Sequence, residues 1–344
     1  MAERYSVFTE KSTGVNPFYL APPPFPSAWG LILVFFRALL LAALLPLLLF
    51  ADAVSSALGS PLLYRILCAP LSRCVLFALG FRWGGVTTRV LRPGADIGWR
   101  RAVSVGAPPP ATPAAPGTLL LVNSCSWLDS LVLLALYGAP TALPYAAGGG
   151  ALSQPSLRGA LSRALRRGPP PPLPPPPPAP AATLALLRCW AGPLAVQPEG
   201  APSNGRALLR PAPRLAVALE GALAALGAAA PRVRVLAITY ARAGAAHGAG
   251  ATSPCFAGGH SPWRHVLSLM AQPSSAVTVL ELPAGEDPAP GDAPAGSLPG
   301  ALVASAAGAM EAMLRRADGQ LRLVGLGEED HARFLRMVVE GRGR

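Results

Sequence analysis

At 344 residues the chain is long enough for one large domain or two small ones with a sizeable core. Only 13% of its residues are charged and 51% are hydrophobic, with a mean hydropathy of +0.41; these values argue against an ordinary soluble domain and for association with a membrane. The formal net charge of +12 is almost wholly arginine, Lys11 being the single lysine; with no basic run interleaved with aromatics it speaks against nucleic acid as a partner and suits an anionic membrane surface or substrate.

In chain order, residues 1–28 are polar and then proline-rich, without the pattern of a cleavable signal. Residues 29–50, WGLILVFFRALLLAALLPLLLF, are long enough for a helix across the hydrocarbon core and carry one charge, Arg37. A second apolar stretch, 61–81, is broken by Arg65, Pro70 and Arg73, and the ADAVSSALGS between the two reads as a turn. Segment 29–81 is therefore a membrane anchor: a single span followed by an interfacial helix, or a helical hairpin that enters and leaves by one face. Basic residues prefer the cytosolic side. They stand both upstream (Arg4, Lys11) and downstream (Arg82, Arg89, Arg92, Arg100, Arg101), which favours the hairpin with both ends cytosolic.

Beyond the anchor, short strands alternate with helices. Strands are predicted over 86–91, 101–105, 118–122, 194–197, 233–240 and 276–282. Helices are predicted over 129–137, 155–167, 183–190, 215–226, 263–270, 302–316 and 328–340. This alternation predicts an α/β fold, a layered domain with a mixed sheet flanked by helices. Residues 169–180 are nearly all proline and should be extended and exposed, an inserted linker or an SH3-type ligand. The five cysteines form no CxxC pair, the count is odd, and no His/Cys pair has zinc spacing, so neither a disulfide framework nor a metal site is expected.

Two polar clusters interrupt this apolar pattern. The first, Asn123-Ser124-Cys125-Ser126-Trp127-Leu128-Asp129, follows the strand at 118–122. An amide, two hydroxyls, a thiol and a carboxylate at the end of a buried strand cost free energy unless they are hydrogen-bonded or used. The second, Pro198-Glu199-Gly200-Ala201-Pro202-Ser203-Asn204-Gly205-Arg206, follows the strand at 194–197. Its glycines allow backbone N–H groups to approach an anion, and an arginine fork matches phosphate geometry; the alternative is a tight loop with Arg206 paired to Glu199 or another acid.

Together the clusters resemble the glycerolipid acyltransferase family, which makes phosphatidate from lysophosphatidate and acyl-CoA. Asn123 and Asp129 match its first motif, Asn-His, four residues, Asp, and Ser126 stands where a Ser or Thr is usual. Pro198, Glu199 and Gly200 match its third motif, with Gln197 in place of Phe and Ala201 in place of Thr. The string 203–209, SNGRALL, resembles the branch that holds fungal lysophosphatidate acyltransferases of the endoplasmic reticulum and lipid droplets and the ancient ubiquitous protein of animals. Residues 12–18, STGVNPF, and 326–330, LGEED, resemble the two ends of the fungal members.

The resemblance implies an acyltransferase-like domain over 82–325 and a closing helix within 326–344. It implies acyl-CoA and a lysophospholipid as co-substrates without a further cofactor, and a domain facing the cytosol from the endoplasmic reticulum or a lipid droplet. In those terms Asn123, Ser124 and Ser126 are candidate donors to the reacting oxygen and Asp129 is the candidate base. Glu199, Gly200, Ser203, Asn204, Gly205 and Arg206 are the candidate substrate site, Glu199 orienting the glycerol and Arg206 holding the phosphate. The departure is Ser124, which stands where the family has its histidine; a serine is no base at neutral pH, and losing a general base costs on the order of 10²- to 10⁴-fold in rate. A catalytically weak or inactive scaffold with the acyltransferase fold is the alternative reading.

Overall fold

The computed structural model describes residues 3–19, 26–90, 117–142, 152, 155–164, 179–240, 253–257, 261–282, 301–318 and 322–340. After a 3-10 turn, Glu3–Phe8, a 30-residue helix α1 (Ala28–Ala57) is capped by Ser27, whose side chain accepts from the Gly30 amide. The helix runs past the apolar run at 29–50 and through most of the segment expected to be a turn. The reason lies on its inner face. Asp52 and Ser55 are buried, and Asp52 accepts from the Leu157 amide at 3.1 and 3.0 Å and from Arg158 N at 3.4 Å. The reversal comes only at Gly59, φ +57°.

The chain then doubles back through α2 (Pro61–Leu63), a π-helical turn (Tyr64–Cys68) and α3 (Ala69–Ala78). Both α1 and the helical stretch Pro61–Ala78 are long and apolar enough to cross a membrane. The one charge in the long apolar run turns to protein instead of lipid. Arg37 donates to the carbonyls of Met270 at 2.7 Å, of Gln272, and of Pro273 at 3.2 Å. It thereby closes the carboxyl end of a later helix, where unpaired carbonyls favour a cation.

The remaining elements are β1 (Phe81–Val90), β2 (Thr118–Val122), α4 (Leu128–Tyr137), β3 (Thr141–Ala142), α5 (Leu157–Ala164), α6 (Ala179–Cys189), β4 (Leu194–Val196), β5 (Ala207–Leu208), α7 (Pro213–Leu226), β6 (Arg232–Tyr240), α8 (Pro262–Met270), β7 (Ser275–Glu281), α9 (Ala301–Asp318), β8 (Arg322–Leu323) and α10 (Glu328–Glu340). The fold is α/β. Six strands make one mixed sheet in the order β1-β7-β6-β2-β4-β3, and β5 pairs with β8 apart from it. β6, β2, β4 and β3 are parallel neighbours; β7 is antiparallel to β6 and parallel to β1.

Helices cover both faces of the sheet. On one face Leu120, Val122, Leu236, Ile238 and Val277 pack with Leu48 of α1, Tyr64, Val75 of α3, Leu131 of α4 and Leu269 of α8. On the other, Leu119, Leu121, Val235 and Ala237 pack with Leu219 of α7 and Met310 of α9. Every residue of β2 is buried, which is why it reads as the unbroken apolar run TLLLV instead of alternating. A third core joins the two ends of the chain: Phe8 and Phe18 meet Phe334 of α10 at ring-centroid distances of 5.6 and 5.7 Å, over Ala207 and Leu209.

Several boundaries differ from expectation. β1 starts at Phe81, five residues before the predicted strand, because α3 ends at Ala78 and Phe81 is drawn into the core. α6 starts at Ala179, so the last residues of the proline run are helical; a proline in the first turn lacks only an N–H that has no helical partner there. The predicted strand at 101–105 and the proline residues 169–178 with their expected SH3-type partner lie outside the described residues.

Asp52 caps α5 as an N-cap residue does, so Asp52→Ala should lower stability by about 1 kcal/mol. The measurement is the thermal midpoint of the purified protein in micelles; an unchanged midpoint would refute the capping role.

Candidate functional site

Three neighbouring parallel strands, β6, β2 and β4, end side by side, and their carboxyl ends carry the polar groups. The register pairs Val122 with Leu236, so β6 continues past the end of β2. Asn123 extends the ladder with its side chain: its Oδ1 accepts from the Ile238 amide at 2.6 Å and its Nδ2 donates to the Ile238 carbonyl at 3.2 Å. Backbone groups that β2 leaves behind as it turns away are thereby paired.

Asp129 is fully buried. Its Oδ2 accepts from the amides of Cys125 at 2.7 Å and Ser126 at 2.9 Å and from Gln197 Nε2 at 3.4 Å. Its Oδ1 accepts from the Tyr240 hydroxyl at 2.6 Å. One carboxylate thus ties the turn after β2 to the ends of β4 and β6.

Glu199, also buried, bridges the two clusters. Its Oε2 accepts from the Ser124 amide at 2.8 Å and its Oε1 from the Leu209 amide at 3.1 Å. The Ser203 amide donates to the Ser124 carbonyl at 2.9 Å. A third segment, 253–257, closes over both. Ser126 Oγ donates to the Pro254 carbonyl at 2.7 Å, and the Phe256 amide to the Cys125 carbonyl at 3.0 Å. Gly205, at φ +72°, is where this packing is tightest: a Cβ there would lie 2.4 Å from Cys255 Sγ, so no other residue fits without displacing the thiol.

Burial pushes both carboxyls up. For Asp129 the Tyr240 hydroxyl and the amides of Cys125 and Ser126 counter it, and the pKa settles at about 6, leaving an ionised group at neutral pH. Glu199 is raised well above its ordinary value, by burial and by the charge of Asp129. The Cys125 thiol is raised by its contact with Cys255 and by burial, which makes it a poor nucleophile.

The expected site residues therefore come together in unequal roles. Asn123, Ser126 and Glu199 are occupied by backbone partners. Gly200 turns the chain at φ +72°. Asn204 is committed to the N-terminal segment, its amide donating to the Pro17 carbonyl at 2.6 Å and its Nδ2 to those of Asn16 at 2.7 Å and Tyr19 at 3.1 Å. The amides of Gly205 and Arg206 donate to Ser203 Oγ and Asn204 Oδ1, so the loop amides expected to cradle an anion are used within the loop. Two groups remain without a hydrogen bond or ion pair among the described residues: the Ser124 hydroxyl and the exposed Arg206 guanidinium.

No histidine touches Asp129 among the described residues. His265 packs on Phe256 at 5.0 Å and His331 Nε2 meets the Ala257 carbonyl at 3.0 Å, so both brace the 253–257 segment; His247 and His260 lie outside the described residues. Sequence reasoning missed Tyr240 and Cys255, and it took Gln197 only as a departure from a motif. The one available signal for Tyr240 was a polar-tipped aromatic closing the buried run VRVLAITY. No protein-family model, curated protein or solved structure matches the chain.

Glu199→Gln keeps one acceptor oxygen but turns an NH2 toward the other backbone amide, so it should cost about 1–3 kcal/mol. Glu199→Ala leaves the amides of Ser124 and Leu209 unpaired and should cost about 2–6 kcal/mol at roughly 1–3 kcal/mol per orphaned group. Thermal denaturation of the two variants side by side is the check, and equal midpoints would contradict the bridge.

Proposed function

We propose that the chain is an acyl-CoA-dependent O-acyltransferase that acylates the sn-2 hydroxyl of lysophosphatidate to phosphatidate, working on the endoplasmic reticulum or a lipid droplet with its α/β domain in the cytosol. The observation that carries the reading is the interlocking of the two clusters: the Ser124 amide on Glu199, and Gln197 on Asp129. The reaction needs a sink for the proton of the attacking hydroxyl, a donor to the negative oxygen of the tetrahedral intermediate, and a cation for the phosphate. Asp129, with its pKa of about 6, suits the first. The unengaged Ser124 hydroxyl suits the second, and the exposed Arg206 the third.

The anchor helices support work at a bilayer surface. Arg37 and Asp52 are fifteen residues apart in α1, roughly 22 Å along the axis and within about 60° of one another around it. Each holds a different helix of the α/β domain. A helix tied lengthwise to a domain does not also stand upright through the membrane away from it. Phe35, Phe36, Leu39, Leu47 and Phe50 of α1 are exposed, an apolar surface suited to one leaflet, which supports the hairpin reading over the single span.

One observation favours the second reading, a scaffold without turnover. The amides at 203–206 are all taken up within the protein, as a braced loop requires and a phosphate cradle does not.

Purified protein given lysophosphatidate and oleoyl-CoA in liposomes should yield phosphatidate; no product above the protein-free control overturns the enzyme in favour of the scaffold. Arg206→Ala should raise KM for lysophosphatidate about tenfold with kcat retained, a loss of roughly 1.4 kcal/mol of binding. The base must be ionised, so kcat should rise with pH through about 6 and then level. Stability runs the other way: a folded pKa above the unfolded one contributes stability below about pH 4 that is lost as pH rises through 6. For the anchor, Phe35→Ser with Phe36→Ser and Phe50→Ser should weaken flotation with anionic vesicles at least about tenfold, and unchanged flotation would contradict the exposed face as the contact.

A further inference from the structure

The proposed reaction needs a proton to travel from a substrate hydroxyl to Asp129, and Asp129 is 0% exposed. A carboxylate offers about four lone-pair positions, and four donors already point at this one: Cys125 N, Ser126 N, Gln197 Nε2 and the Tyr240 hydroxyl. Three of them share Oδ2 and only the Tyr240 hydroxyl meets Oδ1, and burial keeps the carboxylate out of contact with solvent. For a wholly buried carboxylate, the direct route for a proton runs through one of its present donors. Three of them are amide N–H groups, which give no proton at neutral pH and carry no basic lone pair on nitrogen. The fourth is a phenol, whose oxygen gives one proton and accepts another.

Of the four donor residues, Tyr240 alone is not buried. It is the last residue of β6, it is partly exposed, and its ring is held edge-on by Phe81 at 6.3 Å. The hydrogen bond of 2.6 Å runs from this residue to the buried carboxylate.

Resting on the acyltransferase reading, we propose that Tyr240 is the catalytic residue that meets the substrate hydroxyl, relaying its proton to Asp129. The attacking oxygen forms the C–O bond to the thioester carbon, and the carbonyl electron pair moves to its oxygen beside the Ser124 hydroxyl. The substrate proton passes to the Tyr240 oxygen while the Tyr240 proton passes to Asp129 Oδ1. On collapse the C–S bond breaks, and the proton returns through Tyr240 to the leaving thiolate, giving the ester and free coenzyme A thiol. Burial and the facing carboxylate hold the phenol well above its ordinary pKa, so a free phenolate is disfavoured and the two transfers are concerted. The phenol supplies the proton path that the family's histidine would supply at position 124.

The test is phosphatidate formation from oleoyl-CoA and lysophosphatidate by the full chain in liposomes, with Tyr240→Phe beside the parent. The variant should lose at least about 10²-fold in kcat with KM for lysophosphatidate within about threefold. The parent should give a curved proton inventory in mixed H₂O and D₂O, because two protons move in one step; this second measurement needs no folded variant. An active parent with a linear inventory, or a phenylalanine variant within threefold of it, overturns the relay and leaves the acyltransferase reading standing. A parent without turnover overturns both.

Discussion

A single buried carboxylate organises the end of the sheet. An ionised acid in the interior is tolerated only when its oxygens are met by donors, and Asp129 draws its four from three different strand ends. Hydrogen bonds to a charged group contribute about 1.5–3 kcal/mol each, enough in sum to hold the turn after β2 in one shape. That turn aims the Ser124 amide at Glu199 and leaves the Ser124 hydroxyl unengaged. The chemical potential of the site thus follows from a structural need: the group that requires burial with donors is also the group poised near neutral pH.

The apolar helices at the start of the chain carry two roles on opposite sides of one cylinder. Inward, Leu48, Ala51, Tyr64 and Val75 complete the core of the sheet. Outward, a row of large apolar side chains faces away from the protein. The two charged residues of α1 are what make this possible, since each finds a helix terminus whose partial charge opposes its own. The apolar helices and the α/β layers are therefore one packing unit. The ends of the chain add a further brace, because the aromatic cluster of Phe8, Phe18 and Phe334 sits against the loop that carries Glu199 and Arg206.

Much of the layered fold was legible in the sequence. The apolar run at 118–122, the amphipathic helices and the buried strand ending at Tyr240 announce themselves through local spacing. So does the presence of polar clusters after two strands. The turn expected at 51–60 was misread because Asp52 and Ser55 look like surface residues in isolation and become buried only once α5 and Cys68 lie beside them. The N-terminal segment read as merely polar because its two phenylalanines find their partner more than three hundred residues later.

Hydrophobic periodicity is a property of neighbours in the chain, so sequence alone suffices to assign helices, strands and the faces they bury. Which donor meets which acceptor is a property of register between distant strands. Val122 opposite Leu236 sets Ile238 against Asn123 and brings Tyr240 to Asp129, whereas a slip of one residue would turn every side chain of β6 to the other face. The polar residues of the site were visible as a list of side chains. Their division into braces, free groups and a proton path was decided only when the strands paired.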